Sequence, residues 1–318
     1  MSGRAEQVTA AGPAAARAVP RPAVLVVGCG YVGTALARRL MLDHTIHGLR
    51  RSTAALPAGV IALARDIGQP FTLPSAPRFD HVFYLVGADG RSPEAYRQAY
   101  ETGPIQLLAA LAAAGQRPRR LVYASSTSVY GQAAGETVDE CSPTEPTSFA
   151  GRSVLAGEQR FAASGLPVTR VRFAGIYGPG RSGFVRGVLD GSIGVTDPDR
   201  CANRIHVDDC ADILGYLISA VSPPDIVVAS EPTAASRNDA IRWIARQAGR
   251  EPALEPVAGP GSAPGRRRRG EKRCHPTWLL ANGYRFGHPD FRSGYGALID
   301  EVLQELARGN AARRERAR

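Results

Sequence analysis

Apolar residues in this chain come in short continuous runs, separated by longer stretches whose apolar positions fall three and four apart. The first run, Ala23–Val27, is followed at once by Gly28-Cys-Gly30-Tyr-Val-Gly33. Leu36 and Leu40 then share a helical face, with Arg38 and Arg39 turned elsewhere. Further runs at 45–49, 60–64, 81–86, 120–125, 167–172 and 226–229 read as strands buried on both sides, the mark of a parallel sheet. Between them lie helical patterns. One spans 93–114, with Ser92 as N-cap, Pro93 at the first helical position and Gly115 beyond the end. Its apolar stripe is Tyr96, Ala99, Tyr100, Leu107, Leu108 and Leu111. Another spans 148–164, closed by Gly165. A capping box at Ser236–Asp239 opens a third helix, and Leu298, Val302, Leu303 and Leu306 stripe a last one.

Strands alternating with helices predict an α/β fold: a Rossmann-type, doubly wound parallel sheet with a smaller C-terminal substrate lobe. The expected division is a disordered leader at 1–21, rich in Ala, Gly and Pro, a dinucleotide-binding domain at 22–180, a lobe at 181–308 interleaved with the sheet, and a charged tail at 309–318. The loop 136–147 is expected to carry no regular structure. The Pro-, Gly- and Arg-rich stretch 251–276 reads as a long mobile loop.

Composition narrows the partners. The formal net charge is +10, and Lys272 is the sole lysine, so the excess is arginine. Part of it stands in Arg266–Arg269 and in Arg313, Arg314, Arg316 and Arg318, where solvated charge is the plain reading. No nucleic-acid motif accompanies it, so a nucleic-acid partner is not favoured. No apolar run reaches the roughly 18–20 residues that span a bilayer, and no membrane partner is expected. The five scattered cysteines form neither a C-x-x-C pair nor a metal-ligand spacing. A reduced, cytoplasmic setting fits them, and no metal site is predicted.

The turn after the first strand carries the chemistry. Gly28 permits the tight turn, Gly30 lets a pyrophosphate approach the backbone, and Gly33 lets the helix pack close to its strand. The helix start adds free N–H groups and the positive end of its dipole. Gly28, Cys29, Gly30, Tyr31, Val32 and Gly33 are therefore expected to hold a dinucleotide. The second strand ends in Arg50-Arg51. An acid there would accept from the free ribose 2′-OH of NAD, whereas arginine suits the 2′-phosphate of NADP. NADP(H) is the expected cofactor, with NAD the alternative. Asp66 and Ile67 are placed for the adenine edge, and Val86 and Gly87 for passage of the cofactor over a strand tip. The fifth strand runs into Ser125-Ser126-Thr127-Ser128, which places Ser126 to hydrogen-bond a small polar substrate.

Four motifs in order carry a family resemblance: Gly28-x-Gly30-x-x-Gly33, Ser125-Ser-Thr-Ser-Val-Tyr-Gly131, Arg172-Phe-Ala-Gly-Ile-Tyr-Gly-Pro-Gly-Arg181, and Ile205-His-Val-Asp-Asp209. With them the chain resembles the extended short-chain dehydrogenases/reductases, in their epimerase/dehydratase branch. The resemblance implies a nicotinamide cofactor, oxidoreductase or epimerase chemistry, and dimerisation through the long helices after the fourth and fifth strands. It also implies a catalytic Tyr-x-x-x-Lys couple. Aligning Glu158-Gln159 with that family's helix puts Ala150 and Val154 at those places, and a one-residue shift gives Phe149 and Ser153. Pro146-Thr-Ser-Phe-Ala-Gly-Arg152 and Glu271-Lys-Arg273 resemble an atypical subgroup that lacks the couple. Only Ser126 of the family's triad remains. Tyr177, Tyr130, His206 and Arg152 are the candidates for a replacement acid or its support, with Tyr177 beside Ser126 as the expected catalytic pair. The alternative is an NADP(H)-binding sensor or scaffold without catalysis.

Overall fold

The apolar runs pair side by side because each has both faces to bury. In a computed structural model, which describes residues 21–254 and 271–316, the chain opens with β1 (Ala23–Val27), α1 (Tyr31–Leu40), β2 (Thr45–Arg50), β3 (Ile61–Ala64) and β4 (Phe79–Tyr84). Helix α2 (Pro93–Arg97) passes through a π-helical turn (Gln98–Thr102) into α3 (Gly103–Ala113). Then come β5 (Arg120–Ser126), a 3₁₀ turn (Thr127–Val129), β6 (Ala134–Val138), α4 (Phe149–Ala162), β7 (Val168–Phe173) and β8 (Gly175–Tyr177). The rest is α5 (Gly183–Leu189), β9 (Cys201–Ala202), β10 (Arg204–His206), α6 (Val207–Ser219), β11 (Ile226–Ala229), β12 (Ala235–Ser236), α7 (Arg237–Gln247), β13 (Glu271–Cys274), α8 (Thr277–Ala281) and α9 (Phe291–Arg316).

Seven strands form one parallel sheet in the order β11-β7-β5-β4-β1-β2-β3. The order reverses between β1 and β4, so their C-terminal ends open a crevice at the topological switch point. Side chains alternate across β1. Val24 and Val26 pack with α1 and α6, while Ala23, Leu25 and Val27 pack with α3 and Phe161 of α4. This is the doubly wound α/β arrangement. Helices α5, α7 and α9 build a separate apolar cluster around Ile241, Ile244, Phe291 and Leu298. The sheet edge β11 and helix α6 come from sequence beyond residue 180, so the two halves of the chain interlace.

Several elements differ from the sequence expectation. The fourth strand stops at Tyr84 rather than Val86. Its neighbour β1 ends at Val27, and the last rung is the Leu85 N–H donating to the Val27 carbonyl at 2.8 Å. Segments 136–147 and 251–276 are not wholly loop, because β6 and β13 pair in parallel, with Lys272 opposite Glu136 and Cys274 opposite Val138. The predicted helix 93–114 contains the π turn. Gly103 donates to the Gln98 carbonyl five residues back, and Pro104 has no N–H to give to Tyr100. The caps at Ser92 and Ser236 are as expected, their hydroxyls accepting from the N–H groups of Ala95 and Asp239, and Ser148 likewise caps α4 by accepting from the Gly151 N–H. The leader through residue 20 and Arg266–Arg269 lie outside the described residues, and α9 runs on to Arg316, into the stretch expected as a tail.

Candidate active site

A cleft of about 750 Å³ opens at the switch point. Its floor is the turn after β1. Gly28 has φ of +86°, and a Cβ there would stand 2.8 Å from the Leu85 carbonyl carbon and the Val86 nitrogen. At Gly33 a Cβ would stand 2.6 Å from the Gly28 oxygen. Both glycines are demanded by packing. Gly30 differs: the nearest atom to its Cβ position, the Gly28 oxygen, is 4.0 Å away. That open space faces the start of α1, which has no side-chain cap and no acid in its first turn. An uncapped helix start beneath open volume is a cradle for an anion.

Gly28, Gly30, Tyr31, Val32, Arg50, Arg51, Ile67, Val86, Gly87 and Ser126 all line this cleft. Other expected residues sit elsewhere. The Cys29 side chain is fully buried in the core, and its contribution is a carbonyl that accepts from Arg50 Nη1 at 3.2 Å. Gly33 lies in the first turn of α1, on the face packed against Gly28 and Val26. Asp66 turns back to accept from the Gly68 N–H at 2.9 Å, and its neighbours Arg65 and Ile67 face the cleft instead. Arg51 pairs with Asp89 at 2.6 Å, joining the loops after β2 and β4.

At the other end, two adjacent serines have different fates. The Ser125 hydroxyl donates to Glu158, which also accepts from Arg172 Nε at 2.9 Å and Nη2 at 2.8 Å. Ser126 is half-buried and accepts from the Ser128 N–H at 3.1 Å, which leaves its own proton for a ligand in the cleft. Phe173, the sheet partner of Ser126, lines the cleft beside it together with Ala174 and Ile176, and Tyr100 and Arg181 also line the cleft.

Tyr177 is not brought to Ser126. Its ring is buried in the lobe, 4.7 Å from Tyr295 and 5.2 Å from His206, and it does not line the cleft. Burial first, then the Glu231 charge, push its phenol far above the usual tyrosine range. The Tyr130 hydroxyl donates to the Asp139 carbonyl at 2.6 Å and accepts from Arg172 Nη1 at 2.9 Å. His206 caps α6, accepting from the Asp208 N–H at 3.2 Å, and stacks on His288 at 3.7 Å. Arg152 is exposed and donates to the Thr147 carbonyl. None of these four lines the cleft. Val154 is buried beside Val129 and Tyr130, and no α4 residue faces the cleft among those described. Lys272, remote in sequence, is close in space: its Nζ donates to the Tyr130 carbonyl at 2.7 Å.

Sequence reasoning missed Tyr100, Arg65, Asp89 and Arg181. The sequence pattern puts Tyr100 in the apolar stripe of the helix expected over 93–114. The signal for it was Pro104, four residues on, because π turns recur at functional sites. Burial, and next the neighbouring Tyr96, raise the Tyr100 phenol above its ordinary value, so it carries its proton at neutral pH.

The model of the NAD dependent epimerase/dehydratase family matches residues 24–229. The chain belongs to this family. Protein YeeZ of Escherichia coli K12 is 31% identical over 252 residues, 72% of this chain and 85% of that protein. A structure from Methylobacillus flagellatus, assigned to the NAD-dependent epimerases/dehydratases, superposes with a TM-score of 0.72 at 33% identity, covering 89% of this chain and 99% of that one. MoeE5 in complex with UDP-glucose and NAD is similar at TM-score 0.70 and 25% identity, covering 90% and 99%. This family member thus shares its fold with a protein solved in complex with NAD.

Proposed function

We propose that the chain is an NADP(H)-dependent oxidoreductase or epimerase-like enzyme acting on a small polar substrate, through an active site without the family's tyrosine–lysine couple. One observation carries the reading. A single cleft runs from Arg50, Arg51 and Arg65, past the uncapped start of α1, to the free hydroxyl proton of Ser126. Its residues fit a dinucleotide: Gly30 leaves room for the pyrophosphate, and the arginines supply charge for a 2′-phosphate. The NAD in the MoeE5 complex supports a nicotinamide cofactor for this chain.

When bound, the nicotinamide supplies hydride exchange with a substrate carbon. Ser126 donates a hydrogen bond to the reacting oxygen and fixes its position. Tyr100 also lines the cleft with its phenol protonated, and on this reading it is the group that delivers a proton to that oxygen as charge develops there. Phe173, Ala174 and Ile176 keep that end apolar and exclude water. Purified protein given NADPH and a panel of small carbonyl compounds tests the reading: oxidation at 340 nm that falls with Ser126→Ala supports it.

A second reading, a dinucleotide-binding protein without catalysis, is favoured by one observation. Val154, at the place the resemblance gives to lysine, is buried among Val129 and Tyr130, so α4 presents no charge to the cleft. Tight NADPH binding with no turnover across the panel would select it.

A further inference from the structure

Arg181 lines the cleft and takes no part in the contacts proposed above. Arg51 is paired with Asp89, Arg50 donates to the Cys29 carbonyl, and Arg65 donates to the Ala64 and Thr72 carbonyls. The Arg181 guanidinium has no such partner among the described residues. It lies 4.2 Å over the ring of Tyr31. Tyr31 is the first residue of α1 and follows Gly30 directly, so the stack holds a cation beside the helix start that cradles an anion.

The turn that carries Arg181 is built for this approach. Gly178 has φ of +144°, and a Cβ there would stand 2.8 Å from the Tyr31 hydroxyl and 2.7 Å from Val207 Cγ1. A side chain at that position would push the turn off α1. The Arg181 N–H closes the turn on the Gly178 carbonyl at 2.9 Å. The flat guanidinium can stack on the tyrosine face while its N–H edge stays free for a bidentate bond to phosphate.

We infer that Arg181 binds the pyrophosphate of the dinucleotide, with Tyr31 as its platform. The inference rests on the NADP(H) reading and adds a charged ligand group that the Gly-rich turn alone does not supply. It also gives the turn 178–181, which leads into the lobe, a direct contact with the cofactor.

Three probes separate the phosphate sources. NADPH and 2′-phospho-ADP-ribose contain the pyrophosphate, and adenosine 2′-monophosphate does not. Arg181→Ala should weaken the first two at least ~10-fold and leave the third unchanged, since a charge-assisted bond of about 1.5–3 kcal/mol corresponds to roughly 10- to 150-fold. Arg181→Lys, which keeps charge but not the planar stack, should fall between. Tyr31→Leu should weaken NADPH in the wild-type background and add little to Arg181→Ala. Wild-type affinity for both pyrophosphate probes in Arg181→Ala overturns the inference alone. So does an equal loss for adenosine 2′-monophosphate, or a loss confined to the affinity for a turnover substrate, which would give the arginine to the substrate's own anion. Failure of the unaltered chain to bind any of the three overturns the dinucleotide reading and this inference with it.

Discussion

Glu158 of α4 and Arg172 of β7 form a two-point ion pair with side chains 1% and 4% exposed, directly beneath the end of β5. Ser125 donates to the same carboxylate, and Tyr130 accepts from the same guanidinium. The pair therefore fixes the strand end that presents Ser126 to the cleft. Removing one member leaves a buried charge uncompensated, which costs about 3–5 kcal/mol. Glu158→Ala should lower the unfolding free energy by that amount in a urea titration. Ser125→Ala, which deletes one neutral partner, should cost about 1 kcal/mol. Equal, small effects would show that the network is dispensable.

The Gly-rich turn separates two roles that a sequence motif runs together. Gly28→Ala should be strongly destabilising, because of its positive φ and the backbone 2.8 Å from the new Cβ. Gly30→Val should fold with near-native stability, since its Cβ position is open, yet lose dinucleotide binding. Thermal melts paired with NADPH titrations read both. Retained binding in Gly30→Val would mean that the open space is not a phosphate site.

Much of this was legible in the sequence because it is local. The run Ala23–Val27, the glycines after it, and the caps Ser92 and Ser236 act within a few residues of themselves. Arg50 and Arg51 were legible because the end of the second strand has a fixed place in this topology. Tyr177 was not, because its direction is set by Tyr295 on α9, more than a hundred residues away. The place of Lys272 was not legible for the same reason: the β6–β13 pairing that carries it to Tyr130 leaves little trace in either segment. Tyr100 was read as packing, because a π turn shifts the helical face by part of a turn and so defeats the three-and-four spacing.

A buried carboxyl gives the fold a pH signature. Desolvation raises Glu231 to about 8 from 4.5, against the opposing charge of Arg204. The native state then holds a proton that the unfolded chain releases near pH 4.5. This contribution to stability is complete below that pH and is lost as pH rises through about 8. Stability should decline from mildly acid pH toward pH 8, and Glu231→Gln should flatten that decline. An unchanged slope in the variant would assign it to other groups.

Catalysis should separate Ser126 from the tyrosines. Ser126→Ala and Tyr100→Phe should each lower kcat by about 10²-fold or more with NADPH affinity little changed. Tyr177→Phe should leave kcat near wild type, because its hydroxyl does not reach the cleft. A kcat that falls in Tyr177→Phe and not in Tyr100→Phe would reverse the assignment of the proton donor.

The proposed cofactor is a 2′-phosphorylated dinucleotide held in this cleft against Arg50, Arg51 and Arg65. The direct measurement is a pair of equilibrium titrations, NADPH and NADH, on the unaltered protein by fluorescence or calorimetry. The account predicts NADPH bound roughly 10- to 150-fold more tightly, the range of one charge-assisted contact of about 1.5–3 kcal/mol. Arg50→Asp with Arg51→Asp should invert the preference. Equal affinity for the two cofactors, or tighter binding of NADH, would contradict it.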